Sequence, residues 1–208
     1  MKRYADAARA DLMRAVEARK QQEPTGEGSE GATIYDLSLS FTEVLDSPGL
    51  VAYAADGSSY TGGAHGTPLL ARFVWLPQSG QRLTAEALVP QAAGWQAIAT
   101  HVREQLYTAL SQRVEADELT PAERAEVIKG ASRMIDDGTR ADPDNFSEFE
   151  PVVGADGGIR ALRFVFAPYQ VGPYSDGTQT VEVPTSVLLP HVAPEYRGLF
   201  AGGGDGRA

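Results

Sequence analysis

The chain has 208 residues, enough to bury a substantial core without covalent cross-links, and its lack of cysteine excludes disulfides, thiolate catalysis and cysteine-ligated metal. Its formal net charge of −10 disfavours sequence-independent binding to nucleic acid or anionic lipid. No apolar run approaches the ~18 residues that a membrane-spanning helix needs, and Met1 leads into a charged segment rather than a signal peptide. We expect no membrane contact by this segment, and a trimmed lipid anchor in a longer precursor stays open.

The first predicted element is an amphipathic helix over residues 3–21, because apolar side chains such as Tyr4, Ala8 and Leu12 recur at helical spacing. Residues 1–22 hold six basic and three acidic groups, whereas the rest of the chain carries a net charge of −13. An acidic surface of this kind favours encounter with a cationic partner, and solubility alone is the plainer interpretation. The composition of Glu23 to Gly31 predicts a flexible loop.

A three-stranded antiparallel meander is predicted next. Apolar residues alternate with polar ones from Ile34 to Thr42, which indicates a strand with one buried face. A turn at 47–49 separates it from a second strand, Leu50 to Ala54, and Asp56 to Ser59 then approach a glycine-rich turn. Leu69 to Leu76 forms the third strand.

Two long helices are predicted after the meander. Apolar residues at three- and four-residue steps predict a helix over 94–114 that packs on the sheet. Thr120, Pro121 and Glu123 have the pattern of a capping box with proline at the first helical position, so a second helix starts there. The segment Glu115–Glu150 holds eleven acids and four bases, which indicates a solvated face or, alternatively, a docking surface for a basic protein.

Sequence patterns in the C-terminal part of the chain predict further strands. Phe149, Val152 and Val153 precede an Asp-Gly turn, and the apolar run Ile159 to Phe166 follows it, which is typical of a hairpin. Thr180 to Val183 is a further strand, Val187 to Val192 is a short apolar closing element, and residues 196–208 are predicted to be a disordered tail. The expected fold class is α+β, an antiparallel sheet meander with long amphipathic helices packed on it, as a single unit over 1–208.

The sequence offers little sign of catalysis. Its three histidines are far apart, and neither a nucleophile elbow nor a metal-ligand spacing is present, so we predict no enzyme, no metal and no cofactor. A triad of Ser58 or Ser59 with His65 and a remote carboxylate stays open as an alternative. So does a carboxylate pair, Glu148 and Glu150, which would lie ~7 Å apart on one strand face, although a solvated face is the plainer interpretation.

Two aromatic and glycine-rich segments are the candidate binding sites. In the turn Tyr60–Gly66 the glycines permit left-handed backbone angles, and His65 would either bind a ligand or donate to a carbonyl and lock the turn. The turn lacks the lysine of a phosphate loop, so nucleotide binding is not expected. Tyr169 and Tyr174 each follow a proline and would either close the edge of the sheet or form a recognition surface.

Two sequence segments, in this order, resemble segments of a known family. The first is Tyr60-Thr61-Gly62-Gly63-Ala64-His65-Gly66, and the second is Phe164 to Gly177 followed by Val181 to Pro184. Over residues 4–195 the chain resembles the extracytoplasmic region of the lysozyme-sensing anti-sigma factors. That region pairs two domains of unknown function, 4163 and 3298, which residues 3–66 and 67–195 resemble respectively. This sequence includes no transmembrane segment and no sigma-binding region, so sigma-factor regulation is not carried over.

The resemblance implies an α+β fold, a periplasmic or extracytoplasmic location, lipoprotein relatives and a binding rather than catalytic role. In the best-known member the ligand is lysozyme, a basic protein, which suits the acidic surface here. We therefore predict a noncatalytic cell-envelope domain that binds a basic protein or peptidoglycan. The predicted ligand-binding residues are Tyr60, Gly62, Gly63, His65, Tyr169 and Tyr174. The alternatives are a glycan-modifying hydrolase or deacetylase, an accessory domain of one, and a structural module that self-associates.

Overall fold

The computed structural model describes residues 1–22 and 34–202, so the loop predicted over 23–31 lies outside the described part. Five α-helices are described there: α1 (Lys2–Gln22), α2 (Ala85–Leu88), α3 (Ala92–Ala116), α4 (Pro121–Gly138) and α5 (Thr185–Leu188). The strands are β1 (Asp36–Asp46), β2 (Val51–Tyr60), β3 (Thr67–Leu76), β4 (Gln81–Leu83), β5 (Phe149–Val153), β6 (Ile159–Phe166) and β7 (Gln179–Pro184). One sheet has the order β1-β2-β3-β4 and the other β5-β6-β7, so the predicted α+β class with antiparallel meanders is confirmed.

The chain groups into two compact units. Unit 1 comprises Met1–Glu43 and Tyr53–Ala71, and unit 2 comprises Val44–Ala52 and Arg72–Ala208. Unit 2 contains the long helices α3 and α4, both strands of the predicted hairpin, and Tyr169 and Tyr174.

In unit 1, β2 is longer than predicted. Residues 56–59, expected to lead into a turn, continue the strand as far as Tyr60. Gly57 explains the difference, because a Cβ at this position would lie 1.9 Å from the carbonyl oxygen of Ser38, and only glycine permits so close an approach of two backbones. The side chain of Phe41, expected on the buried face of β1, is 39% exposed.

In unit 2, the apolar stripe of α3 forms the centre of the core. All six residues of the predicted stripe are buried: Trp95, Ile98, Val102, Leu106, Leu110 and Val114. The Trp95 ring stacks on Phe146 with 5.7 Å between centroids, and Phe146 meets Phe164 edge to face at 5.3 Å. The helix packs against β7 and α4, so it covers the second sheet, which the sequence did not distinguish from the first meander.

The start of α4 has the predicted capping box. The Thr120 hydroxyl accepts a hydrogen bond from the Glu123 backbone N–H at 3.4 Å, and the Glu123 carboxylate accepts one from the Thr120 backbone N–H at 2.9 Å. Pro121 occupies the first helical position, where its missing N–H leaves no intrahelical bond unmade.

The second sheet is a meander in which β6 is central. Strands β5 and β6 form the predicted hairpin, with Phe149 opposite Phe164 and a bulge between Val152 and Val153. Strand β7 pairs with the other side of β6, with Val181 opposite Phe164, and is therefore an edge strand.

The sequence predicted a short apolar closing element over 187–192 without assigning its secondary structure. The structure shows that it is helical, formed by α5 and a 3₁₀ turn, Leu189–His191. Part of the predicted disordered tail is ordered: Pro194–Leu199 is a 3₁₀ helix, and Phe200 is 3% exposed because its side chain joins the core. The backbone N–H of Ala201 donates to the carbonyl of Ile159 at 2.9 Å. Residues 203–208 of that tail lie outside the described part.

Candidate ligand-binding site

The loop between β6 and β7 presents an exposed aromatic pair, and we call residues 167–177 the Pro-Tyr loop. Tyr169 has a φ of +73°, and among the described residues it is the one non-glycine with positive φ. Its side chain is 55% exposed, and its ring lies 5.4 Å from the ring of Tyr174, tilted by 39°. A left-handed backbone costs an L-residue about 1–2 kcal/mol, so the surrounding structure has to hold Tyr169 in place.

Backbone and side-chain hydrogen bonds hold this loop. The N–H of Tyr169 donates to the carbonyl of Gly172 at 3.1 Å. The side-chain amide of Gln170 donates to the carbonyl of Gly138 at 3.3 Å and to that of Asn145 at 2.9 Å. A Cβ on Gly138 would lie 2.0 Å from the carbonyl oxygen of Gln170, so the end of α4 and the loop approach more closely than any side chain would permit.

The second half of the loop is tied to α3. The carboxylate of Asp176 pairs with the guanidinium of Arg113 at 2.5 Å. A Cβ on Gly172 would lie 2.4 Å from the side-chain nitrogen of Gln179, and Gly177 has a φ of +67°. The loop is therefore fixed at both ends, and its two tyrosines are presented on a rigid support.

The loop is anchored to the acidic segment of the chain. Gly138 ends α4, where the helix dipole is negative, and four aspartates lie in residues 136–144. Asp136 lies 3.4 Å from Arg103 and accepts a hydrogen bond from the Tyr107 hydroxyl at 3.0 Å. Burial, and then the hydrogen bond with Asp136, raise the pKa of Tyr107. An exposed aromatic face on a loop that packs against a helix C-terminus suits a cationic group.

The other predicted site lies in unit 1, in the turn between β2 and β3. Gly62 and Gly63 have φ values of +99° and +100°, as their predicted conformational role requires. The hydroxyl of Tyr60 donates to the carbonyl of Gly63 at 2.9 Å and so braces the turn, and the His65 side chain is exposed. The structure thus brings Tyr60, Gly62, Gly63 and His65 into one turn of unit 1, and Tyr169 and Tyr174 into one loop of unit 2.

The interpretation of Glu148 and Glu150 as a solvated face was wrong for Glu150. This residue is 9% exposed, and its carboxylate pairs with Arg72 at 2.6 Å and with Arg163 at 3.5 Å. Arg163 in turn pairs with Glu182 at 2.8 Å. These arginines lie on β3 and β6, which are separated by about 90 residues of chain, so sequence patterns gave no sign of the network.

Glu148 is half-buried and directly precedes β5. Its carboxylate accepts a hydrogen bond from the backbone N–H of Arg72. Burial raises the pKa of Glu148, and the Arg72 hydrogen bond and the charge of Arg82 offset this only in part. Each carboxylate of the predicted pair therefore has a structural partner.

Within residues 1–22 and 34–202, no cluster of three or more histidine and acidic side chains is arranged to hold a metal ion. In the same ranges, none of the helices combines the length and apolarity that crossing a bilayer requires.

Comparison with protein families gives a match in unit 2. Residues 88–186 match the family described as protein of unknown function (DUF3298). This range covers α3, α4 and the second sheet together with the Pro-Tyr loop, and it lies within the module that the sequence predicted over 67–195. No curated protein matches the chain.

Two solved structures share the fold. A DUF3298 family protein from Pseudomonas aeruginosa PAO1 is 18% identical, with a TM-score of 0.54, and the match covers 83% of this chain. A member of the DUF3298 family from Bacteroides fragilis NCTC 9343 is 16% identical, also with a TM-score of 0.54, and the match covers 92% of this chain. The chain spans 66% of the length of each of these proteins.

Proposed function

We propose that this protein is a noncatalytic domain of the bacterial cell envelope that binds a basic protein, of which lysozyme is the model, or a cell-wall ligand. The observation that carries the proposal is the exposed Tyr169, which is held in a left-handed conformation against Tyr174. The next residue, Gln170, is hydrogen-bonded to backbone carbonyls of the acidic segment. Strained, exposed side chains persist where the surroundings enforce them, and they concentrate at ligand-binding sites.

The chemistry of the Pro-Tyr loop favours a cationic ligand group. A lysine or arginine side chain over a tyrosine face gains about 0.5–1 kcal/mol at an exposed site and more when it is desolvated. Carboxylates in residues 136–144 and the overall charge of −10 add long-range attraction, which raises the association rate of a basic partner. The turn at Tyr60–Gly66 is a second candidate contact region in unit 1.

The absence of a catalytic role is part of the proposal. Two carboxylates, Glu148 and Glu150, would otherwise be the best acid and base pair. The proposal is supported by their partners, because Glu150 pairs with the buried Arg72 and the half-buried Arg163, and Glu148 accepts a hydrogen bond from a backbone N–H. An extracytoplasmic location, with a lipid anchor in a longer precursor, rests on the resemblance to the lysozyme-sensing family.

Calorimetry of the chain against lysozyme tests the basic-protein ligand, and co-sedimentation with purified peptidoglycan tests the cell-wall ligand. Lysozyme binding is expected at low ionic strength and should weaken as salt rises through ~0.15 M, where the Debye length falls to ~8 Å. Tyr169→Ala should weaken the complex, whereas Trp75→Ala, which removes another exposed aromatic residue of unit 2, should not.

If the chain binds neither lysozyme nor peptidoglycan, the proposed function is wrong. If wild type and Tyr169→Ala bind equally well, the Pro-Tyr loop is not the binding site. Turnover of peptidoglycan fragments that disappears in Glu148→Gln would establish the enzymatic alternative instead.

A further inference from the structure

A groove runs along the outer edge of the second sheet and begins next to the Pro-Tyr loop, where Gln179 contacts Gly172. Its volume is about 450 Å³, and one wall is α3 and the other is β7. The lining residues are Gln105, Leu106, Ala109, Gln179, Thr180, Val181 and Glu182. The four β7 residues are consecutive, so the groove follows the strand for roughly 10 Å.

The backbone of β7 turns hydrogen-bonding groups toward this groove. The N–H of Val165 donates to the carbonyl of Glu148 at 2.8 Å, so the backbone groups of Val165 point toward the β5 side of β6. In an antiparallel pair the direction alternates, and Val165 lies opposite Thr180 in the register of β6 and β7. The N–H and C=O of Thr180 therefore point away from β6.

A second contact supports the same orientation of the β7 backbone. Glu182 is two residues beyond Thr180, so its backbone groups also point away from β6. Its carbonyl oxygen lies 3.2 Å from Nε2 of His101 on α3. The outward carbonyl of Glu182 thus already has a hydrogen-bond partner on α3. The backbone N–H and C=O of Thr180 have no hydrogen-bond partner among the described residues, and the Thr180 side chain is exposed.

We infer that this groove binds an extended, basic peptide segment of a partner protein, which adds to β7 as a fourth strand of the second sheet. An edge strand beside a helix is a recurring geometry for strand addition, in which backbone hydrogen bonds provide affinity and alternate side chains enter the groove. Small side chains of the peptide face Ala109, and neutral amides of Gln105 and Gln179 flank them.

The charge of the peptide follows from the charge of the protein. Glu182 is the one charged residue that lines the groove, and its carboxylate already pairs with Arg163 at 2.8 Å and with Arg160 at 3.6 Å. The preference for a basic segment therefore rests on the long-range field of the chain as a whole, which carries −10. The acidic surface attracts a basic segment and repels an acidic one. The inference does not rest on the proposed role of the Pro-Tyr loop.

The experiment selects binders to the full chain from a displayed library of random decapeptides and measures their affinity by fluorescence anisotropy. Thr180→Pro removes the outward N–H while leaving the β6 ladder intact, since proline is tolerated at an edge position that faces solvent. Thr180→Val is its matched control. Ala109→Phe fills the groove from an exposed helix position and serves as an independent second variant.

Selected peptides should be net basic, bind wild type and Thr180→Val equally, and bind Thr180→Pro about tenfold more weakly through the lost hydrogen bond and its geometry. Ala109→Phe should weaken them as much or more, and peptides N-methylated at alternate amides should not bind. Failure to select any binder, or equal affinity for wild type, Thr180→Pro and Ala109→Phe, would overturn the inference. Binding that is lost in Tyr169→Ala and kept in the groove variants would overturn it while supporting the Pro-Tyr loop.

Discussion

Replacement of Gly138 by alanine tests whether the close contact between α4 and the Pro-Tyr loop holds the candidate site together. The new Cβ would lie 2.0 Å from the carbonyl oxygen of Gln170 and 2.9 Å from a methyl group of Val171. Backbone must therefore shift by more than 1 Å, because ordinary contacts of Cβ atoms begin near 3.4 Å. Overpacking of this kind costs about 1–3 kcal/mol.

The same helix supplies the matched control. Gly130 lies in the middle of α4, is exposed, and has no atom within 4 Å of the position that a Cβ would take. Gly130→Ala should therefore stabilise the protein by about 0.5–1 kcal/mol through helix propensity alone. Any opposite effect at Gly138 must then come from the loop contact.

Thermal unfolding monitored by tryptophan fluorescence is the assay, because Trp75 and Trp95 are the two tryptophans of the chain and both lie in unit 2. For a protein of this size 1 kcal/mol corresponds to about 2–4 °C in Tm. We expect Gly138→Ala to lower Tm by about 2–12 °C and to weaken ligand binding, and Gly130→Ala to raise Tm by about 1–4 °C. If both variants are stabilised, the loop does not depend on Gly138 and the argument for a rigid site fails.

Three further perturbations follow from the same structure. Tyr169→Gly should be more stable than Tyr169→Ala by about 1 kcal/mol in urea unfolding, because glycine adopts the left-handed conformation freely; equal stability would contradict strain at this position. The raised pKa of Glu148 means that folding favours its protonated form, so this contribution to stability is present at low pH and is lost as pH rises through the folded pKa. Glu148→Gln should therefore flatten the fall in stability above about pH 4.5, whereas the exposed Glu86→Gln should leave it unchanged, and an unaltered slope in Glu148→Gln would count against this reasoning. Glu150→Gln removes the carboxylate that pairs with the buried Arg72, and it should lower the free energy of unfolding by about 3–5 kcal/mol. Adding Arg72→Met to this variant should restore most of that stability. If the effects of the two substitutions simply add, the two side chains are not coupled.

Local patterns were sufficient for most of the secondary structure. The capping residues at Thr120 and Glu123, the apolar stripe of α3 and the hairpin around Gly157 are encoded within a few residues of chain, and each was predicted close to its observed bounds. The error in β2 has a specific cause, since the glycine at position 57 serves a close approach to another strand, whereas in sequence it looks like a turn signal.

Part of the geometry of the candidate site was predictable. The sequence predicted a glycine-rich turn at Tyr60–Gly66, and Tyr60, Gly62 and Gly63 do form a braced turn, whereas ligand binding by these residues and by Tyr169 and Tyr174 stays a prediction. The left-handed conformation of Tyr169 was not predictable, because it depends on the anchoring of Gln170 to groups about 25 and 32 residues away.

The sequence by itself determined the α+β class, the positions of α1 and α3, the start of α4 and the acidic character. Tertiary structure alone decided that Glu150 is buried against Arg72, that α3 covers the second sheet, and that β7 is an edge strand. The physical reason is the range of the interactions. Caps, turns and hydrophobic periodicity act over three to five residues, whereas ion pairs, close backbone contacts and strand neighbours join residues that only the folded chain brings together.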